Sequence, residues 1–130
     1  MKIYWDSSAL VEALHNQNLR DQIRPHAAVT RPHSLAEVFS TLTKGVNFRY
    51  AAEDAAKMLA DLKTDLDFVE LTAEDAIKTI NEASDNGVRG ARIHDLMHAA
   101  AAVKSGAKIL LTLDTAGFSD LRHSIKVQAP

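Results

Sequence analysis

The chain has 130 residues, 46% of them hydrophobic and 25% charged, which is material for one globular domain with one continuous core. A formal net charge of −2 excludes a broad basic face, so a nucleic acid would have to meet a local basic patch. Cysteine is absent, which excludes disulfides and thiolate metal sites and fits a cytoplasmic protein; the apolar runs are too short for a membrane span, and Asp6 interrupts the N-terminus too early for a signal peptide.

No repeat and no Pro/Gly-rich linker divides the sequence, so residues 1–130 read as a single domain. Short apolar runs alternate with helical patterns, predicting an α/β fold with a mostly parallel central sheet. Residues 2–5 form the first predicted strand, which ends at Asp6. Ser7 or Ser8 is the expected cap of a helix reaching about His15, and a short helix follows near 19–24. Residues 27–30 form a second strand. Pro32-His33-Ser34 then opens a helix through Leu42, with Gly45 as its stop. Residues 51–66 carry Ala55, Met58, Leu59 and Leu62 at helical spacing. Residues 68–71 are the third strand. Thr72, with Asp75 as its capping-box partner, starts a helix that ends before Gly87. An alanine-rich helix spans 93–104 and closes at Gly106. Residues 108–113 form a largely apolar fourth strand, as expected of a strand covered on both faces, and 125–127 a short last one.

In an open parallel sheet, ligands bind beyond the carboxyl ends of the strands. Asp6 stands at that end of the first strand and Asp114 at that end of the fourth. Glu37 falls in the first turn of the helix after the second strand. Asp95 falls in the first turn of the alanine-rich helix, where topology constrains it less. Each acid has a plain structural reading. Asp6 is a cap, Ser34-Leu35-Ala36-Glu37 is a capping box, and Asp114 begins a turn. Asp95 complements a helix dipole, worth about 0.3–1 kcal/mol. Their joint placement is what points to function. Clustered carboxylates repel one another, and a divalent cation compensates them. Oxygen ligands without thiolates suit Mg²⁺ or Mn²⁺, ions that promote phosphodiester hydrolysis.

The stretch Asp6-Ser7-Ser8-Ala9-Leu10 after a first strand resembles the opening motif of PIN domains. Glu37 in Ser34-Leu35-Ala36-Glu37-Val38 resembles their second acidic motif, and Asp95 in Arg92-Ile93-His94-Asp95-Leu96 the third. Thr112-Leu113-Asp114 with the later Phe118 resembles the fourth, and the length matches the VapC-like toxins of type II toxin–antitoxin systems. The resemblance implies a three-layer α/β/α fold and a Mg²⁺- or Mn²⁺-dependent endoribonuclease. It implies that Asp6, Glu37, Asp95 and Asp114 form the acidic pocket, with Ser8 and Thr112 in secondary roles near the metal. It further implies a homodimer and a cognate antitoxin that blocks the site. Some relatives carry another acid before the phenylalanine, where this chain has Ala116-Gly117.

Within that reading Asp6, Asp95 and Asp114 hold the ion, and Glu37 either completes the set or orients the attacking water. RNA phosphates need donors beside the acids. Arg89 and Arg92, just before Asp95, are the first choice, and Lys44 and Arg49 the second. Trp5 and Phe39 read as core. The apolar residues of the Glu37 helix and of 51–66 offer a dimer face or an antitoxin groove. His94 and His98 have a zinc-compatible spacing, with His33 or Asp95 as a third ligand, although ordinary helix-face histidines are the preferred reading. His94-Asp95 also resembles the metal-binding pair of the all-helical HD phosphohydrolases. A phosphoacceptor receiver domain and a catalytically silent partner-binding domain are the alternatives from other classes. No P-loop or dinucleotide fingerprint is present.

Overall fold

The computed structural model describes residues 1–119, 121 and 123–130. Among the described residues five strands pair in the order β3-β2-β1-β4-β5, every pair parallel. They are β1 (Ile3–Trp5), β2 (Ala28–Thr30), β3 (Asp67–Phe68), β4 (Ile109–Leu111) and β5 (Lys126–Gln128). The helices are α1 (Ser7–His15), α2 (Gln17–Arg20), α3 (Pro32–Lys44), α4 (Ala52–Lys63), α5 (Ala73–Asp85), α6 (Arg92–Ser105) and α7 (Thr115–Ser119). A five-stranded sheet is incompatible with the all-helical HD architecture. Its strand order also differs from the 2-1-3-4-5 order of receiver domains.

Strand alternation sorts the core onto two faces. Ile3, Trp5, Ala28 and Leu111 point into a core shared with Leu10, Val38, Leu42 and Leu62 of α1, α3 and α4. Tyr4, Val29 and Leu110 point to the other side, against Ala99, Ala101 and Ala102 of α6 and Phe118 of α7. Helices therefore cover both faces, giving the three-layer α/β/α arrangement. The alanines bring α6 close to the strands, and α5 packs on α6 through Ala83 and Leu96. The apolar residues of α3 and α4 that suggested a partner face are mostly used internally: Val38, Leu42, Ala55, Leu59 and Leu62 are all buried.

Several local expectations change for identifiable reasons. Asp6, not Ser7 or Ser8, caps α1, accepting from the Ala9 amide at 2.9 Å. The box expected at Ser34–Glu37 does not form. Pro32, with φ already suited to a first helical turn, starts α3 two residues before Ser34 and moves Glu37 into the second turn. The box at Thr72 and Asp75 does form. The third strand, expected at 68–71, is instead the two exposed residues Asp67–Phe68, a short edge of the kind that resists further pairing. Asp114 precedes the short helix α7 and accepts the Gly117 amide in its first turn, where a simple turn was expected.

Buried Thr30 ties three elements together. Its hydroxyl lies 2.7 Å from both the Trp5 carbonyl oxygen and the Ser34 hydroxyl. Thr30→Val keeps the shape and strands both partners, so urea denaturation should show a loss of about 1–3 kcal/mol. An unchanged midpoint would mean that these bonds contribute nothing. On the other face, Asp75 accepts from Lys104 Nζ at 2.7 Å and from the Thr72 amide at 2.9 Å. The Lys104 contact, then the Thr72 amide, hold its carboxyl at about 2. A depressed folded pKa gives stability that is present above the unfolded value of about 3.9 and lost as pH falls toward 2. Melting of Asp75→Asn should accordingly depend less on pH across that interval than melting of the parent chain.

Candidate active site

The ends of β1 and β4 are neighbours, and hydroxyls stitch them together. The Ser8 hydroxyl donates to Asp6 Oδ1 at 2.7 Å and accepts the Leu113 amide at 3.0 Å. Its single proton being committed to Asp6, the contact of 3.3 Å to Thr112 is donated by Thr112 Oγ1. That same Thr112 oxygen accepts the Asp114 amide at 3.1 Å. Ser8 and Thr112 thus set the strand ends that carry Asp6 and Asp114. Asp114 Oδ1 in turn accepts the Gly117 amide at 3.0 Å. A Cβ at Gly117 would stand 2.9 Å from the Asp114 Cγ, so this loop closes on the carboxylate only because residue 117 has no side chain.

A second pair is organised from α6. Asp95 lies in its first turn, half-buried, and His98 follows one turn later. His98 Nε2 stands 2.8 Å from Glu37 Oε1, which brings α3 and α6 together on their acids. Burial alone would raise the Glu37 pKa. The His98 hydrogen bond and charge, with the charges of His33 and Arg31, outweigh that and hold its carboxyl below the ordinary value.

The two pairs share one electrostatic neighbourhood. Burial pushes the Asp95 carboxyl above its ordinary value; His98 opposes the shift, while Asp114, Asp6 and Glu37 add to it. Asp95 therefore lies within charge–charge range of each of the other three acids predicted from the sequence. Their surplus negative charge and all-oxygen chemistry fit a hard divalent cation. Among the described residues no group of three or more Asp, Glu or His side chains already converges to hold a metal ion. Asp6, Glu37 and Asp114 are instead turned to protein donors.

The basic candidates separate. Arg89 lies exposed in the loop before α6, and Arg92 lies exposed at its first residue, close in sequence to Asp95. Lys44 is the last residue of α3, seven residues beyond Glu37 and about 10 Å farther along the helix axis, away from the sheet edge that carries the acids. Arg49 follows still later, near the α3 terminus, where the Tyr50 amide bonds to the Leu42 carbonyl. Neither joins the acids. The sequence reading missed Arg31, the residue before α3, whose charge reaches both Glu37 and Tyr4. A cation directly after a strand at the ligand-bearing edge was the available signal. His94 is exposed and stacks on His33 with ring centroids 6.1 Å apart, whereas His98 is buried with both nitrogens engaged. The zinc arrangement is therefore not formed.

The fold recurs in solved structures of low sequence identity. VapBC2 from Rickettsia felis, bound to a DNA fragment from its promoter, matches with TM-score 0.73 and 16% identity over 99% of this chain and 98% of that one. PAE2754 from Pyrobaculum aerophilum matches with TM-score 0.71 and 19% identity, covering 97% and 89%. VapC20 from Mycobacterium tuberculosis, a toxin that cleaves the sarcin–ricin loop, matches with TM-score 0.66 and 24% identity, covering 92% and 98%. No curated protein matches the sequence. The family model for the PIN domain matches residues 3–123, nearly the whole chain, and with the sheet order and the acids on one edge already in place, the chain belongs to the PIN domain family.

Proposed function

We propose that the protein is a divalent-metal-dependent endoribonuclease and the toxin of a toxin–antitoxin pair. The observation that carries this reading is the electrostatic coupling of Asp95 to Asp6, Glu37 and Asp114, four acids from separate segments at one sheet edge. Membership of the PIN family and a fold shared with VapBC complexes and with VapC20 support it. Asp6, Asp95 and Asp114 would hold Mg²⁺ or Mn²⁺, and Glu37 either completes the set or orients the attacking water. Such an ion, when bound, lowers the pKa of water and stabilises charge on a phosphoryl group. Ser8 and Thr112 keep Asp6 and Asp114 on adjacent strand ends. Arg89, Arg92 and Arg31 take RNA phosphates and offset the repulsion between backbone and acids. The protein acts in the cytoplasm as a homodimer, and a cognate antitoxin covers the acidic edge. No helix among the described residues is long and apolar enough to cross a membrane.

The test is RNA cleavage by the purified protein with Mn²⁺ or Mg²⁺, with EDTA, and alongside Asp6→Asn. Metal-dependent cleavage that disappears in the variant supports the nuclease. A folded protein that neither binds Mn²⁺ nor cleaves RNA would sink it and leave a silent partner-binding PIN domain.

A further inference from the structure

We propose that His98 is a positioning residue that fixes the Glu37 carboxylate in the site, and that Tyr4 in turn fixes the His98 ring. This deepens the nuclease reading and rests on it. His98 is 2% exposed and bridges three elements. Its Nδ1 lies 2.7 Å from the Tyr4 Oη on β1, and its Nε2 lies 2.8 Å from Glu37 Oε1 on α3. A carboxylate only accepts, so Nε2 carries a proton and donates to Glu37. Nδ1 then accepts from the Tyr4 phenol when the ring is neutral and donates to the phenol oxygen when it is charged, so the bond holds in either state. The rings also pack edge-on, with centroids 5.7 Å apart at 63°, which limits rotation of the imidazole.

The arrangement is unusual for a core. Tyr4 and His98 are buried beside a cluster of alanines with Val29, Leu110, Phe118 and Ile125. Burying such groups costs free energy unless each is satisfied, and an apolar pair would pack there without that cost. Tyr4 lies on β1 two residues before Asp6, so these contacts run from the strand that carries Asp6 to Glu37. A glutamate on a half-exposed helix face otherwise samples several rotamers. The charge-assisted bond from His98 selects one of them and ties it to the helix that carries Asp95. His98 thereby sets the Glu37–Asp95 relation, as Ser8 and Thr112 set that of Asp6 and Asp114.

The experiment uses the full chain with His98→Leu, His98→Gln, Tyr4→Phe, Glu37→Gln and the double variant His98→Leu/Glu37→Gln. Mn²⁺ binding is read by calorimetry, RNA cleavage as separate kcat and KM, and folding by thermal melting. Loss of an outer partner of a metal-site carboxylate typically weakens metal binding or activity ~10–100-fold. His98→Leu is expected to lose that much in Mn²⁺ affinity and kcat, with KM for RNA little changed. His98→Gln, whose amide N–H can replace Nε2–H, should recover most of the loss. The double variant should be no worse than Glu37→Gln alone. Tyr4→Phe should show a smaller loss of the same kind, and with His98→Gln it decides the matter if His98→Leu does not fold. Wild-type Mn²⁺ affinity and kcat in the folded His98 variants, or losses that add to that of Glu37→Gln, would overturn the role while leaving the nuclease reading intact. A parent chain that neither binds Mn²⁺ nor cleaves RNA overturns both.

Discussion

Asp6→Asn should remove cleavage and leave the fold standing. Asp6 does two jobs with one side chain. It caps α1 through the Ala9 amide and receives the Ser8 hydroxyl, both at Oδ1. Asparagine keeps an oxygen there and caps a helix about as well as aspartate. What it removes is the negative charge, and with it one oxygen ligand for a cation. Metal ions supply several kcal/mol of charge stabilisation in phosphoryl transfer. Each ~1.4 kcal/mol is tenfold in rate, so loss of effective metal binding predicts a fall of at least ~10²–10³-fold. Asp6→Ala should be equally inactive and should also lose the cap, worth about 1 kcal/mol. Cleavage assays with Mn²⁺, paired with melting curves, separate the two effects. An asparagine variant that cleaves at the parent rate would remove Asp6 from the catalytic set.

The same residue marks how far the sequence could be read. That Asp6 and Asp114 follow strands at the ligand-bearing edge was legible from short apolar runs and the logic of parallel sheets; that those two strands are neighbours was not. Nor was it legible that Asp6 is also the helix cap, because Ser7 and Ser8 are good caps by type and only the start of α1 decides among the three. Glu37 was misplaced for a similar reason. Ser34-Leu35-Ala36-Glu37 has the composition of a capping box, yet Pro32 starts the helix earlier and Glu37 comes to rest on His98 instead. Asp95 shows the complementary case. Topology left its edge loosely determined, and the packing of α6 against β1, β2 and β4 places it. His98 could not be singled out locally, since its partners are 94 and 61 residues away in the chain. Local pattern locates elements and their ends. Contacts between distant elements are set by the fit of side chains across the core, which one sequence does not display.

That fit leads to the second large effect, at Ala102. Asp95, His98, Ala99 and Ala102 follow one another at helical spacing on one face of α6. Ala102 is fully buried in the alanine-lined core. Ala102→Leu forces extra methylenes into this thin layer, at a cost of about 1–3 kcal/mol. For a domain of this size that is a drop of ~4–12 °C in melting temperature. The helix can relieve the strain only by shifting from the sheet, and Asp95 and His98 shift with it. A displacement near 1 Å can cost ~10²-fold in rate. Leu62→Ala provides the contrast. Leu62 is fully buried on the opposite side of the sheet, on α4, which carries none of the four acids. Its loss should be the larger in stability, about 2–5 kcal/mol, with little change in cleavage per folded molecule. Melting and Mn²⁺-dependent cleavage, both measured well below each transition, test the pair. If Ala102→Leu cleaves as well as Leu62→Ala when both are folded, the close approach of α6 supports only stability. If it falls alone, the alanines of α6 are part of how the site is built.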